Sequence, residues 1–337
     1  MEIPEEVLDA VMEVEVGLLM IPGVTGVGVG LREVDGEVLD DDLAVRILVE
    51  DLDDLPAGLP DALAGVDVCL VQRSYEPLAG ADLKRYPDLH GGIHITNPNH
   101  SDHGTMGAIV QDASAIASGQ LLGLTCFHVV GDRGADFPFT VWQPNSPPPF
   151  PPPVPRDDNV GRVAKVAFPD FALTSGTDPI RIGGFDAAVF DLDEAFAHNR
   201  TASRHIMGQD AQQPNLADAI TATDRAIRTD IEVSKRGAMT RVTHGKVVSP
   251  RLSMPWRTPF GPNRFMIASI ELRVDRARNG GDLVFARPGD SGSVVVLGND
   301  PTTAVGLLWG ADDTGSWGAM CDIQLLEQEL EISMVWA

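Results

Sequence analysis

From about Gly91 to Ala311 the chain is a succession of short apolar runs, each closed off by Gly, Pro, Asn or Asp. "MGAIVQD", "QLLGLTCFHVV", "FTVWQP", "NVGRVAKVAF", "FDAAVFDLD", "GKVVS", "RFMIASIEL", "SGSVVVLG" and "TAVGLLWGA" are rich in β-branched and aromatic residues. Most of these runs are too short for a globular helix, and none can bury itself alone. Many short strands punctuated by turns build an antiparallel barrel or sandwich. The fold class expected is mainly β over most of the chain.

Residues ahead of this region follow other periods. Ile3 to Met20 has apolar positions at helical spacing, with Pro4 suited to a first turn. "GVTGVGVGLREV", "LAVRILVE" and "VDVCLVQ" read as strands, "DGEV" as a turn, and "LPDALAG" as a short helix ending at Gly65. Residues 1–80 are therefore expected to form a small α/β N-terminal domain, and 81–337 the β region. The glycines of "GVGVG" lie inside a strand with no helix after them, which argues against a dinucleotide loop. The β region divides into halves at about 91–198 and 229–325. A polar connector, "HNRTASRHIMGQDAQQPNLADAITATDRAIRTD", joins them and is expected to be partly helical. "PNSPPPFPPPVP" reads as a stiff polyproline-type surface loop. "DIQLLEQELEI" has helical spacing, which predicts a C-terminal helix at about 323–332.

Charge narrows the partners. Lys and Arg total 25 against 49 Asp and Glu, a formal net charge of -24. Such a surface repels phosphate backbones and anionic lipid, so neither nucleic acid nor a membrane is expected as a partner. The N-terminus opens with acids and lacks the basic region of a signal peptide. Cys69, Cys126 and Cys321 are an odd number in apolar contexts and read as buried thiols rather than a disulfide framework. Together these features point to the cytoplasm.

"RPGDSGSVVV" (287–296) sets Asp290 and Ser291 between glycines and runs straight into an apolar strand. It reads either as an ordinary turn or as a nucleophilic serine whose own loop supplies backbone donors. A serine hydroxyl needs a general base, normally a histidine oriented by a carboxylate. All eight histidines precede Ser291. That order excludes the nucleophile-elbow hydrolases, which run Ser, acid, His, and leaves the order His, Asp, Ser open. His128, after the apolar strand in "LLGLTCFHVVG", is the leading base; a buried structural histidine is the alternative. His90, His94, His100 and His103 cluster in "HGGIHITNPNHSDHG" at spacings that fit no common zinc pattern, and no metal is expected. Asp186 stands in the apolar "GGFDAAVFDLD". Buried, it would need a partner such as a histidine N–H; turned outward, it would take Ala188 and Phe190 with it.

These segments resemble those of the trypsin-like, chymotrypsin-fold serine peptidases, and within them a bacterial branch related to the plant narrow-leaf proteases. "LTCFHVV" is similar to that branch's "LSNNHV", "FDAAVF" to "VDAAIA", "GLLWGA" to "GLLFAG", and "PGDSGSVVV" to its serine segment. "VSKRGAMTRVTHGKVVS" is similar to its "V-K-GRTTG-T-G-V" strand pair, and "IPGVTGVGVGLREVDGE" to the short α/β domain that precedes the peptidase. Cys126-Phe127 replaces Asn-Asn before the histidine, and "GAMTR" keeps only part of "GRTTG"; the three catalytic positions are unaltered.

The resemblance implies two six-stranded antiparallel barrels, His128 and Asp186 on the first and Ser291 on the second. It implies a serine endopeptidase acting on a protein or peptide substrate through an acyl-enzyme. His128 would be the base and Asp186 its orienting partner. The N–H groups of Gly289 and Ser291 would form an oxyanion hole, each donor worth about 3 kcal/mol. No metal or organic cofactor is implied. The primary pocket would have Phe285 at its base, with Trp309 and Gly310 on its far wall, which favours small or medium apolar side chains. Asp290 would need a cation other than a new amino terminus, Arg287 being the candidate. Two rivals remain at this stage: a catalytically silent peptidase-like scaffold for binding or assembly, including a homo-oligomer, and an esterase using the same triad.

Overall fold

The computed structural model describes residues 3–34, 36–77, 84–98, 103–114, 119–131, 138–143, 158–167, 171–175, 178–210, 212–226, 228–258 and 261–335. The proline-rich stretch 144–155 and His100 lie outside them.

Helix Glu5–Leu19 starts after Pro4 and buries Val7, Val11 and Leu18 on one face. That face covers a sheet in which Val24–Val34 runs antiparallel to Glu37–Val49, and Glu37–Val49 parallel to Val66–Gln72. Valines at alternate positions, Val27 and Val29 with Val45, Ile47 and Val49, form the core between helix and sheet. The helix expected in "LPDALAG" is absent. Ala62–Leu63 instead pairs back on Val66 and Asp67, turning through Ala64 (φ 47) and Gly65 (φ 76). Seven residues repay helix nucleation poorly, and the hairpin gives their backbone partners at once. The connector between the β halves shows no helix among its described residues beyond His198; Thr201–Ile206 is a strand lying parallel to Asp88–Gly91.

The N-terminal sheet continues into the second β half. Val24–Val34 pairs with Arg241–Thr258, with Val27 opposite Ser253 and Val29 opposite Arg251. Here the "GVGVG" glycines find their purpose. A Cβ on Gly28 would stand 2.3 Å from the Arg251 carbonyl, and one on Gly30 2.4 Å from that of Val248. Glu15, buried on the helix, accepts from Arg251 (2.8 Å) and from the Ser253 hydroxyl (2.8 Å) across the same seam.

The second β half is a closed barrel. Glu232–Gly237 pairs with Arg241–Thr258, which pairs with Gly261–Val274. The ring continues through Trp317–Asp322, Thr303–Ala311 and Val294–Leu297, and returns to Glu232–Gly237. Phe285, Val247, Leu272, Val295, Val305 and Met320 fill it. The first half curls through Ile93–Thr96, His103–Met106, Ala108–Asp112, Leu121–Thr125, Ala187–Asp191, Asn159–Ala167 and Thr140–Trp142. It comes back to Ile93–Thr96 through one pair, Trp142 with Thr96. Only Gly107 separates His103–Met106 from Ala108–Asp112. A Cβ there would lie 2.3 Å from the Gly292 carbonyl, so a glycine lets the barrels close on each other. Helix Ile323–Leu330 follows the last barrel strand, as the sequence predicts, with Asp322 accepting from the N–H groups of Gln324 and Leu325. Among the described residues no helix is long and apolar enough to cross a membrane.

One titration is set by this packing. His90 is buried, stacked on His205 at 4.3 Å with Tyr86 edge-on at 5.3 Å. Burial pushes its pKa from 6.5 down to about 4; His205 and Arg236 act in the same direction, while the Gly91 carbonyl and Asp88 oppose. Between pH 6.5 and 4 the unfolded chain takes up a proton that the folded chain refuses. Stability is unaffected by this group above pH 6.5 and falls on acidification, by roughly 3 kcal/mol once pH 4 is passed. His90→Phe should flatten the pH dependence of denaturation midpoints in that window. An unchanged slope would show that another group sets it.

Candidate active site

The strand Leu121–Thr125 ends at Cys126, whose extended backbone opens a single helical turn, Phe127–Val130, carrying His128. Ala187–Asp191 is its antiparallel neighbour, with Thr125 opposite Ala188. That register sets Asp186, just before the neighbouring strand, beside His128. Asp186 is fully buried. Its Oδ1 accepts from the His128 backbone N–H at 3.0 Å, and its Oδ2 is bonded to His128 Nδ1. Alternation therefore does not turn Asp186 outward; the imidazole and backbone of His128 satisfy both its oxygens. With Nδ1 donating to the carboxylate, the lone pair lies on Nε2, a buried atom with no hydrogen-bond partner among the described residues.

Ser291 comes from the second barrel. Its loop has Gly289 at φ +100 and Gly292 at φ +92, backbone that a side chain would strain. The N–H groups of Gly289 and Ser291 donate to no described residue, whereas the neighbouring N–H groups of Asp290 and Gly292 bond to Arg287 and Leu308 carbonyls. The Ser291 hydroxyl donates to the Trp309 carbonyl at 2.9 Å rather than to His128. Thr105 of the first barrel grips this loop from across the junction. Its Oγ1 donates to the Gly289 carbonyl (2.7 Å) and its N–H to the Ser291 carbonyl (2.7 Å). The sequence alone did not single out Thr105, which sits in the unremarkable run "HGTMG".

Asp290 finds its cation in Lys235, not in the Arg287 side chain. Lys235 Nζ lies 2.9 Å from Asp290 Oδ2, both side chains having no exposure. Thr240 Oγ1 donates to the same oxygen (2.6 Å), and the N–H groups of Met239 and Thr240 donate to Oδ1. Arg287 contributes only its backbone N–H, at 2.9 Å. Burial pulls the Lys235 pKa down, and Asp290 partly restores it. The buried pair locks the serine loop onto the strand Glu232–Gly237 without any new chain terminus. Lys235 was hidden because "VSKRG" alternates like a solvated strand.

Of the three residues expected around the primary pocket, two have fully buried side chains. Phe285 is fully buried in the second barrel's core, where Gly245 and Gly318 leave room for its ring. Trp309 is also fully buried, its Nε1 donating to Ser269 Oγ at 3.2 Å; only its carbonyl reaches Ser291. Gly310 lies on the barrel strand Thr303–Ala311, paired with Ala319 on one side.

All three cysteines are free and buried. Cys126 donates to the Leu308 carbonyl at 3.2 Å, and burial first, then Asp186 and Cys321, hold its thiol well above its ordinary pKa. One ligand atom each from Cys126, His128 and Asp186 fall within 4.8 Å of one another, a set that could hold a soft cation. The imidazole and carboxylate already bond each other and the thiol stays protonated, so the set is arranged for a proton rather than an ion.

The second half is the closed six-stranded barrel expected, whereas the first is only partly closed, since His103–Met106 and Ala108–Asp112 do not pair. With an imidazole–carboxylate pair on one and a glycine-flanked serine loop on the other, they make the chymotrypsin-like double-barrel fold. No family model and no curated protein matches the chain. Among solved structures it is similar to a Nocardiopsis protease at 17% identity, covering 74% of this chain and 100% of that one, with a TM-score of 0.49. It is similar also to Thermobifida fusca protease A (17%, 74% and 100%, TM-score 0.48) and to a Cellulomonas bogoriensis chymotrypsin (17%, 74% and 100%, TM-score 0.47).

Proposed function

We propose that the chain is a serine endopeptidase working through His128, Asp186 and Ser291. The observation that carries this reading is the His128–Asp186 pair, in which both carboxylate oxygens are spent on one histidine whose Nε2 is left buried and unpartnered. In the reaction the Ser291 hydroxyl must leave the Trp309 carbonyl and turn to that nitrogen. Catalytic hydrogen bonds of this kind often tighten only when substrate is bound. His128 then takes the Ser291 proton as the hydroxyl attacks the scissile carbonyl, and returns it to the leaving amine. Asp186 stabilises the imidazolium between those steps. The free N–H groups of Gly289 and Ser291 receive the oxyanion. Water repeats the cycle on the acyl-enzyme.

The silent-scaffold reading draws on one observation, the Ser291 hydroxyl resting on Trp309. Turnover separates these readings. Peptide p-nitroanilides and matched p-nitrophenyl esters, varied only at the residue before the scissile bond, are expected both to be hydrolysed. Small or medium apolar residues should be preferred: with Phe285 packed into the barrel core, no charge stands at that position to pair a Lys or Arg side chain. Ester hydrolysis alone would favour the esterase, and no hydrolysis of either the scaffold. Preference for Lys or Arg by more than about tenfold, roughly 1.4 kcal/mol in the transition state, would overturn that expectation.

A further inference from the structure

Past Gln72 the chain leaves the N-terminal sheet and is held tightly as far as Pro77. Arg73 pairs with Glu33 (2.9 Å) and Glu271 (3.1 Å), and its guanidinium lies 3.5 Å over the Trp317 ring. Tyr75, also buried, donates its hydroxyl to Glu271 at 2.7 Å. These anchors deliver Glu76–Pro77 to the free edge of Thr303–Ala311 as a short antiparallel strand. Glu76 stands opposite Ala311 and Pro77 opposite Gly310. The other edge at those two residues is taken by Gly318 and Ala319. One step further along the same strand is Trp309, whose carbonyl holds the Ser291 hydroxyl.

Two features of this pairing are those a cleavable peptide needs. Because it is antiparallel, the Glu76–Pro77 segment runs from N to C toward Ser291, so that a peptide in its place would bring its carbonyl end to the nucleophile. Antiparallel neighbours also alternate between pairs that exchange hydrogen bonds and pairs that do not. Pro77 has no N–H, so its pair with Gly310 must be the unbonded one, and Glu76 with Ala311 the bonded one.

We propose, resting on the peptidase reading above, that Glu76–Pro77 is a built-in occupant of the substrate-strand positions of the cleft. An external peptide binds by displacing it in the same register. The peptide is extended, accepts proline against Gly310, and needs a backbone N–H against Ala311. Asp290 already has Lys235, so displacement frees the cleft without having to build the serine loop.

Glu76→Pro removes the N–H that pairs with Ala311 and should release the segment. KM for an external peptide is then expected to fall about tenfold with kcat nearly unchanged, since the occupant competes with substrate for one state of the cleft. Independently of that variant's folding, two substrates test the register on the unaltered protein. Ser-Tyr-Glu-Pro-Leu-p-nitroanilide copies residues 74–78. Ser-Tyr-Pro-Glu-Leu-p-nitroanilide moves the proline to the bonded position and should have a kcat/KM about tenfold lower or worse, as a lost backbone hydrogen bond implies. Fluorophosphonate labelling of Ser291 accompanies each assay. Equal kcat/KM for the two peptides, or an unchanged KM in a folded Glu76→Pro protein, overturns the proposal while labelling leaves the peptidase reading intact. Failure to label overturns both.

Discussion

Alanine at Ser291 is expected to lower peptide hydrolysis roughly 10⁴-fold or more, alanine at His128 to cost about as much, and the double variant to be hardly worse than either. The reason lies in how the three side chains depend on one another. Without Ser291 the Nε2 lone pair of His128 has nothing to activate; without His128 the Ser291 hydroxyl keeps its proton and its bond to the Trp309 carbonyl. Whatever hydrolysis remains belongs to the oxyanion donors and to peptide binding. The cycle is read as kcat/KM on one p-nitroanilide substrate with all four proteins. Near wild-type turnover in Ser291→Ala would place the chemistry elsewhere, and additive losses would mean that the two residues do not act as a unit.

Lys235→Met should be the most damaging single change outside the triad. It strands the Asp290 carboxylate, fully buried, with Thr240 and three backbone N–H groups but no cation. Removing one partner of a buried pair costs about 3–5 kcal/mol. That is a large share of the 5–15 kcal/mol by which a domain is typically stable. The loss falls on the loop that carries Gly289 and Ser291, so labelling of Ser291 should slow by much more than the fall in folded fraction explains. Adding Asp290→Asn to Lys235→Met removes the orphaned charge and should recover a good part of the stability, a coupling that denaturant titration of the four proteins measures. Strictly additive losses would show that the pair is not coupled. Lys235→Arg keeps the charge and separates electrostatics from packing.

Much of this site was legible in the sequence because chemistry constrains order. Eight histidines all preceding Ser291 excluded the order Ser, acid, His and left His, Asp, Ser open, and an acid alone in "FDAAVF" needed a partner if buried. The barrel strands were legible for a similar reason: short β-branched runs closed by Gly, Pro and Asp have few other uses. What escaped notice depends on pairings distant in sequence. Nothing local distinguishes Lys235, which meets Asp290 fifty-five positions later. Thr105 reaches Gly289 from 184 positions away. Continuity of the N-terminal sheet with the second barrel rests on Val27 meeting Ser253, and the hold on Arg73 and Tyr75 rests on Glu271. The "LPDALAG" helix failed for the opposite reason. Its local pattern was helical, but a nearby strand edge offered its backbone hydrogen bonds sooner.

Activation of Ser291 by the His128–Asp186 pair is tested by a fluorophosphonate probe followed by peptide mapping. One adduct is expected, on the Ser291 hydroxyl, absent in Ser291→Ala and strongly slowed in His128→Ala although that protein remains folded. A folded protein that forms no adduct, or forms it on another residue, or labels equally fast without His128, would show that Ser291 is not activated by this pair.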